Sequence, residues 1–432
     1  MPATASTTRN RDDVRRVMLA SFIGTAIEWY DFFLYGTAAA IVFARLFFPN
    51  VDSLVGTLSA FGTFAVGFIA RPFGGLIFGH YGDRIGRKAM LVYSLLIMGV
   101  ATFLIGLLPT YESIGVAAPT LLVVLRCLQG IGVGGEWGGA VLMAVEHSPS
   151  HRRGLSGSWP QTGVPAGLFL STLVFGVMST TLSEEQFLTW GWRVPFLISI
   201  ALIAVGLFVR LRVLESPAFA DLQQRGARQT RPLVTAIRHY RRSVLLAMGM
   251  RVAENAVFYI YTVFVLSYGP MQLKVPRATM LWGVALAALA GLVTIPFFGA
   301  LSDRVGRRPV YLFGASFSLL YAVPFFALLD TRSSPVIWTA IVLGLAVGHA
   351  AMYGPQASYF SELFGAAVRY SGASLSYQLA SVLAGGLAPF IATYLLATWG
   401  TFAVASYMML LSAITLAAAY LAPETHRGDL AA

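Results

Sequence analysis

One cysteine, Cys127, is all the chain carries. That excludes an intrachain disulfide and a cysteine-based metal site. Charge is also scarce: 11% of the residues are charged, where a soluble domain carries about 25%. No P-loop, H-E-x-x-H helix, nucleophile elbow or cluster of metal ligands is present in the sequence, so neither an enzyme nor a nucleotide-driven pump is expected. No catalytic residue, metal or cofactor is therefore assigned. The short alternating segments of a membrane β-barrel are missing too.

What is there is apolar sequence in long blocks. Of the 432 residues, 57% are hydrophobic, and a soluble chain of this length would divide them among two or three cores. Here they fall in twelve blocks, near 17–44, 56–80, 89–108, 118–146, 155–180, 191–211, 243–268, 278–300, 309–329, 335–360, 371–396 and 400–421. Each approaches the roughly 20 residues needed to cross a bilayer as a helix. In lipid each backbone polar group needs a partner inside the chain, so the blocks should be helical. The first block contains Glu28 and Asp31 and lacks a small-residue cleavage site, so it reads as a retained span, not a signal peptide.

The net charge of +11 does not point to nucleic acid, because the arginines lie between apolar blocks. They also lie mostly on one side. One set of connections holds Arg9, Arg11, Arg15, Arg16, Arg84, Arg87, Lys88, Arg152, Arg153, a cluster from Arg210 to Arg242, Arg304, Arg307, Arg308, Arg369 and Arg427. The other set keeps Arg45, Lys274, Arg277 and Arg332. By the positive-inside rule the basic face is cytoplasmic, which puts both termini inside a cell (inner) membrane. The expected organisation is a segment 1–16, a six-helix bundle 17–211, a basic linker 212–242, a second bundle 243–421 and a tail 422–432.

The halves repeat each other. Gly79-His-Tyr-Gly-Asp83-Arg84-Ile-Gly86-Arg87-Lys88 returns 220 residues later as Gly299-Ala-Leu-Ser-Asp303-Arg304-Val-Gly306-Arg307-Arg308. Glu146 with Arg152-Arg153-Gly154 is echoed by Glu362 with Arg369-Tyr370-Ser371-Gly372. Such duplication implies a two-fold axis along the membrane normal and two bundles rocking about a central site. Within the loop, glycines permit tight turns. Asp83 is placed to accept hydrogen bonds from a facing helix N-terminus. Arg84 and Arg87 can pair with Glu146, latching the halves together. The same roles fall to Asp303, Arg304, Gly306, Arg307 and Glu362 in the second half.

Ionisable residues inside the blocks point to a polar interior, since a charge at mid-membrane costs at least about 2.5 kcal/mol. Glu28 and Asp31 share a helical face with Tyr35, as proton carriers or as partners of an arginine. Block four carries Arg126, able to grip a carboxylate bidentately or to pair with Asp31 or Glu28. It also carries Glu136, a second proton carrier or a packing anchor. Glycines 130, 134 and 138 offer a small-residue face. Block seven aligns Arg251, Glu254, Asn255 and Phe258, either to recognise substrate or to neutralise one another. Block ten aligns His349, Tyr353 and Gln356, with His349 a further proton candidate. In block five, Pro160 and Pro165 are expected to open the helix around Gln161, a substrate contact; Tyr377-Gln378 mirrors it in block eleven.

The repeated loop resembles the signature of the major facilitator superfamily. Gly24-Thr-Ala-Ile-Glu28-Trp-Tyr-Asp31-Phe-Phe, Arg71-Pro72-Phe-Gly-Gly, Arg126-Cys-Leu-Gln-Gly130-Ile-Gly-Val-Gly-Gly-Glu136-Trp-Gly-Gly and Trp190-Gly-Trp-Arg193-Val-Pro195-Phe resemble its metabolite:proton symporter branch. The resemblance implies an all-α membrane protein of twelve spans. It also implies proton-coupled uptake of a small organic acid or zwitterion, with a counterpart of Arg126 linking substrate to proton. Members of that branch carry shikimate, 2-oxoglutarate, citrate, or proline and betaine. The residues after Pro423 lack the coiled-coil tail of the osmosensing members, so osmotic sensing is not expected. Proton-driven drug efflux and sugar transport are the alternatives; Glu215-Ser-Pro217 resembles a sugar-porter element. The expected partners are the solute, protons and lipid, with no nucleic acid and a monomeric chain.

Overall fold

The computed structural model describes residues 11–85, 87–134, 148–212, 240–365 and 368–426, and the single positions 141, 144, 145, 238 and 428. Helices dominate, as apolar sequence without water to bond its backbone requires. Among the described residues, ten helices are long and apolar enough to span a membrane. They are α1 (Phe22–Phe47), α2 (Ser53–Phe78), α5 (Ser150–Thr181), α6 (Glu184–Phe208), α7 (Arg241–Leu273), α8 (Arg277–Val305), α9 (Arg307–Leu329), α10 (Ser334–Glu362), α11 (Ser371–Trp399) and α12 (Thr401–Leu421). Two shorter apolar helices, α3 (Val92–Leu107) and α4 (Ala117–Val133), stand where the third and fourth blocks were expected. Large apolar side chains such as Phe73, Val293, Leu320 and Phe402 are exposed, as suits surfaces solvated by lipid.

The first six helices form one bundle and the last six another. In the first, α1 packs on α5, α2 on α4 and α3 on α6; in the second, α7 packs on α11, α8 on α10 and α9 on α12. Across the seam α5 meets α8, and α2 meets α11. Advancing every helix by six exchanges these contacts, as a two-fold axis demands. Backbone detail follows the same symmetry. Both α1 and α7 widen into a π-turn, at Ala39–Phe43 and Ile260–Phe264.

The expected glycine face is used where it is described. A Cβ on Gly130 or Gly134 would run into the carbonyl oxygens of Gly67 or Arg71 on α2, so only glycine lets these backbones touch. Gly138 lies outside the described residues. The expected opening of α5 is not found. Arg153–Thr181 is one continuous helix with Pro160 and Pro165 buried inside it. Packing by α1, α8 and α10 on several sides keeps it helical through both prolines.

The seam itself is aromatic. The Tyr259 ring of α7 lies 5.6 Å from Phe64 and 5.3 Å from Phe68 of α2. Phe258 lies 5.7 Å from Phe33 of α1. The bundles meet here, and they also touch at both ends, through Asp303 with Gly154 and Leu155 at one and through Arg277 with Glu184 at the other. Two grooves of about 360 and 460 Å³ lie within single bundles, between α2 and α4 and between α8 and α10. Neither reaches the seam. Where a polar chamber was expected between the bundles, the described residues include the buried ionisable side chains of Asp31, Arg71, Arg126, Arg251 and Glu254.

Candidate functional site

In the second bundle, helical spacing does what it predicted. Arg251 and Glu254 of α7 and Gln356 of α10 form a closed triangle, all three buried. Arg251 Nη1 donates to Glu254 Oε2 and to Gln356 Oε1, both at 2.7 Å, and Gln356 Nε2 donates to Glu254 Oε2 at 3.0 Å. His349 Nε2 stands 3.0 Å from the other Glu254 oxygen. Arg251 Nε donates to Ser381 Oγ of α11 at 3.1 Å, and its Cζ lies 3.3 Å above the Tyr377 ring. His349 stacks on Tyr353 at 5.1 Å. Asn255 is buried against α11, its Oδ1 without a hydrogen-bond partner; a side chain on Gly385 would collide with it. Opposite charges are thus paired and hydrogen-bonded, the condition for burying them at tolerable cost.

The first bundle holds its cations differently. Arg126 does not pair with Asp31. Its Nη1 donates to Gln129 Oε1 at 3.0 Å, while Nε and Nη2 are buried without a hydrogen-bond partner. Its Cζ lies 4.2 Å over Tyr35 and 4.3 Å over Phe32, a cation–π cradle. Arg71 of α2 repeats the pattern, with Cζ 4.2 Å over Phe32 and 4.3 Å over Phe68, and with Nε and Nη2 again unpartnered. Its guanidinium is beside Tyr259 of the other bundle, with Tyr377 and Arg251 near. Asp31 is fully buried, neither carboxyl oxygen hydrogen-bonded, with Thr102 of α3 against it. Glu28 is buried one turn away on the same face. Glu136 lies outside the described residues.

Two glutamines cross the seam in symmetric fashion. Gln161 of α5 donates through Nε2 to the Tyr353 carbonyl of α10. Gln378 of α11 donates through Nε2 to the Gly134 carbonyl at the end of α4, at 3.3 Å. Helices α5 and α11 are two-fold mates, as are α10 and α4. Both amides leave their Oε1 atoms buried and unpartnered.

The repeated loop of the second half lies among the described residues. Asp303 accepts the backbone N–H groups of Gly154 (2.7 Å) and Leu155 (2.9 Å) at the start of α5, where the helix dipole favours an anion. Arg307 bonds Asp303 at 2.8 Å and bridges to Glu362 at 3.1 Å. Arg304 is exposed, so Arg307 alone makes the contacts assigned to the pair: it sits one turn past Asp303 and faces inward. Gly306 has φ +106°, a conformation that favours glycine. In the first half, Gly79 falls in the helix Ser53–Ile85; Gly86, Glu146 and the side chains of Asp83, Arg84 and Arg87 lie outside the described residues.

Four groups were missed by sequence reasoning. Arg71 hid in a stretch read only as a signature, although an arginine inside an apolar span was signal enough. Glu424 looked like tail, yet it caps α9 by accepting the N–H groups of Arg307 (2.9 Å) and Arg308 (3.0 Å). Burial works to raise the Glu424 carboxyl, but the backbone N–H groups of Arg307, His426 and Arg308 outweigh it and hold it below the usual carboxylate range. Thr425 Oγ1 donates to Glu362 at 2.6 Å. On the opposite face, Arg277 of the second bundle is held entirely by the first. It makes 2.8 Å contacts to Glu184 and to Ser179, with the Phe187 ring 3.8 Å below.

Comparison with known proteins agrees with this architecture. The chain is 41% identical to the inner membrane metabolite transport protein YhjE of Escherichia coli over all of both sequences. It is 44% identical to the shikimate transporter of the same organism, over 93% of each. The fold superposes on a crystal structure of a D-xylose-proton symporter with TM-score 0.74 at 18% identity, covering 96% of this chain and 99% of the other. The profile described as Major Facilitator Superfamily matches residues 21–385, and with two-fold-related six-helix bundles and matching relatives over the full length, the chain belongs to that superfamily of membrane transporters.

Proposed function

We propose that the chain imports a small organic acid together with a proton, by alternating access. The observation that carries this reading is the contrast between the arginines. Arg251 is satisfied by Glu254, Gln356 and Ser381. Arg71 and Arg126 keep two donor atoms each without an acceptor. An unmet buried donor costs about 1–3 kcal/mol, and a carboxylate reaching both guanidiniums removes that cost. A neutral sugar or an apolar drug removes less of it. Similarity to a shikimate transporter supports the same class.

In this reading Arg71 and Arg126 grip the carboxylate and Asp31 carries the proton, with Glu28, Glu136 and His349 as secondary carriers. Gln161, Asn255, Tyr353 and Gln356 line the site from α5 and the second bundle. Arg251 and Glu254 set its electrostatic floor. The basic-loop face is cytoplasmic, with the segment 212–242 linking the bundles there. The Asp303–Arg307–Glu362 latch then closes the inner side, and Arg277 with Glu184 the outer. One chain suffices, since both halves of the site come from it.

The test is uptake by purified protein in proteoliposomes, with the outside acidified and a panel of hydroxy acids, keto acids, betaines and sugars. Accumulation of an acid that collapses with a proton ionophore, and is lost in Arg71→Gln, supports the reading. Preferential sugar uptake, or accumulation indifferent to the ionophore, rejects it.

A further inference from the structure

We propose that Thr102 and Gln129 are positioning residues that tie the protonation of Asp31 to the way Arg126 is presented. The inference rests on the proton-coupled reading above. Asp31 of α1 and Arg126 of α4 are both buried, and Arg126 donates to Gln129 in place of Asp31. A hydrogen-bonded bridge runs between them. Arg126 Nη1 donates to Gln129 Oε1 at 3.0 Å, Gln129 Nε2 donates to Thr102 Oγ1 at 2.7 Å, and the Thr102 hydroxyl donates to the Met98 carbonyl at 2.9 Å. Thr102 stands one turn past Gly99 of α3, where a Cβ would lie 3.6 Å from Asp31 Oδ2, and it lies against that carboxyl. All four side chains are buried, so each hydrogen bond matters.

A hydroxyl has one proton and two acceptor lone pairs. At Thr102 the proton goes to Met98 and one lone pair takes Gln129. The second lone pair is open to a donor, and a protonated Asp31 is one. An ionised Asp31 is an acceptor only, so the Thr102 proton must swing from Met98 to the carboxylate. That rotation re-aims the lone pair that Gln129 uses. The amide follows, and the fork of Arg126 loses the acceptor that fixes it. Protonated Asp31 therefore holds Arg126 Nε and Nη2 aligned for a carboxylate; ionised Asp31 releases them. The proton arrives on an Asp31 oxygen from the side that is open and leaves to water on the other. No other bond forms or breaks.

The other groups around Asp31 do not supply this link. Tyr30, the neighbouring residue on α1, commits its hydroxyl to the Pro195 carbonyl of α6 at 2.8 Å. Glu28 is a turn away on the same helix. Helix α5 packs on α1 through Gly163 and Gly167, and α3 with α6 bring Gly99 and Ile203. On α4 the charged group is Arg126 itself, reached through Gln129.

The experiment uses the full chain in proteoliposomes with radiolabelled shikimate as the probe acid, and measures KM and kcat at acid and neutral external pH. Wild type and Thr102→Ser should show a KM that rises about tenfold from acid to neutral pH, the worth of one hydrogen bond of about 1.4 kcal/mol. Thr102→Val and Gln129→Leu should raise the acid-side KM about tenfold and flatten its pH dependence, with kcat little changed. A wild-type KM profile in folded Thr102→Val overturns the proposal. If wild type carries no shikimate, the importer reading is what suffers, and a second measurement decides this one. Melting midpoints of Thr102→Val, Arg126→Gln and the double variant should be non-additive by an amount that changes with pH, and that change should vanish in an Asp31→Asn background. Additive effects at every pH also overturn it.

Discussion

Replacing Gln161 and Gln378 by leucine should bias the closed conformation toward the state open on the basic-loop face. Each glutamine makes one hydrogen bond across the seam to a backbone carbonyl, Gln161 to Tyr353 and Gln378 to Gly134. Both lie in the first part of their helices, Gln161 in Arg153–Thr181 and Gln378 in Ser371–Trp399, which begin on the basic-loop face. A hydrogen bond within a membrane protein is worth about 0.6 kcal/mol on average, up to about 1.7. Losing one average bond should shift the closed-to-open ratio about threefold, and losing both, at about 1.2 kcal/mol, about eightfold. Because the two-fold axis relates the contacts, the single substitutions should have similar effects that sum in the double. Leucine keeps the volume, so packing should change little. The assay is pulsed EPR on detergent-purified protein with Cys127 replaced by serine and spin labels at His151 and Pro309, both exposed near the latch. The long-distance population should grow in the order wild type, single, double. An unchanged distribution in the double variant, or a large shift from one glutamine and none from the other, refutes the symmetric-clasp argument.

Three other outcomes follow from the geometry. Arg251→Met alone and Glu254→Met alone should each destabilise by about 3–5 kcal/mol, because a buried charge loses its partner, while the double variant should recover most of it; chemical unfolding in mild detergent reads the difference. Gly306→Ala should cost about 1–3 kcal/mol, since φ is +106° and a Cβ would meet Glu424; a melting midpoint equal to wild type contradicts this. The Glu424 carboxyl is held below its ordinary range, so its capping of α9 is at full strength above the unfolded carboxylate range and weakens as pH falls through the lowered value. Acid should therefore loosen the segment after α12 in hydrogen exchange, and Glu424→Gln should be loose already at neutral pH.

Much of this was legible in residue order because membrane helices carry one strong period. Spacings of three and four put Arg251, Glu254 and Asn255 on one face, and His349, Tyr353 and Gln356 on another, and the structure brings Arg251 and Glu254 onto His349 and Gln356. The repeated Asp–Arg–Gly–Arg loop pointed to the two-fold axis. What period cannot show is which helix stands opposite. Thr102 and Gln129 are ordinary polar residues until α3 and α4 face each other beside Asp31, and the targets of Gln161 and Gln378 are backbone carbonyls, which carry no residue code. The prolines of α5 misled because whether a helix opens at proline depends on what packs around it. Glu424 was missed because polar residues past a final apolar block look like tail, whatever they cap.

The most direct measurement counts protons and solute in the same vesicles. Proteoliposomes are loaded with a pH-sensitive dye, clamped at zero potential, and given the acid that the panel selects at equal internal and external pH. The account predicts that inward flow of the acid acidifies the lumen in wild type, that Arg71→Gln and Arg126→Gln abolish both signals, and that Asp31→Asn moves solute down its gradient with no acidification. Solute entry by wild type with no change in luminal pH would contradict it.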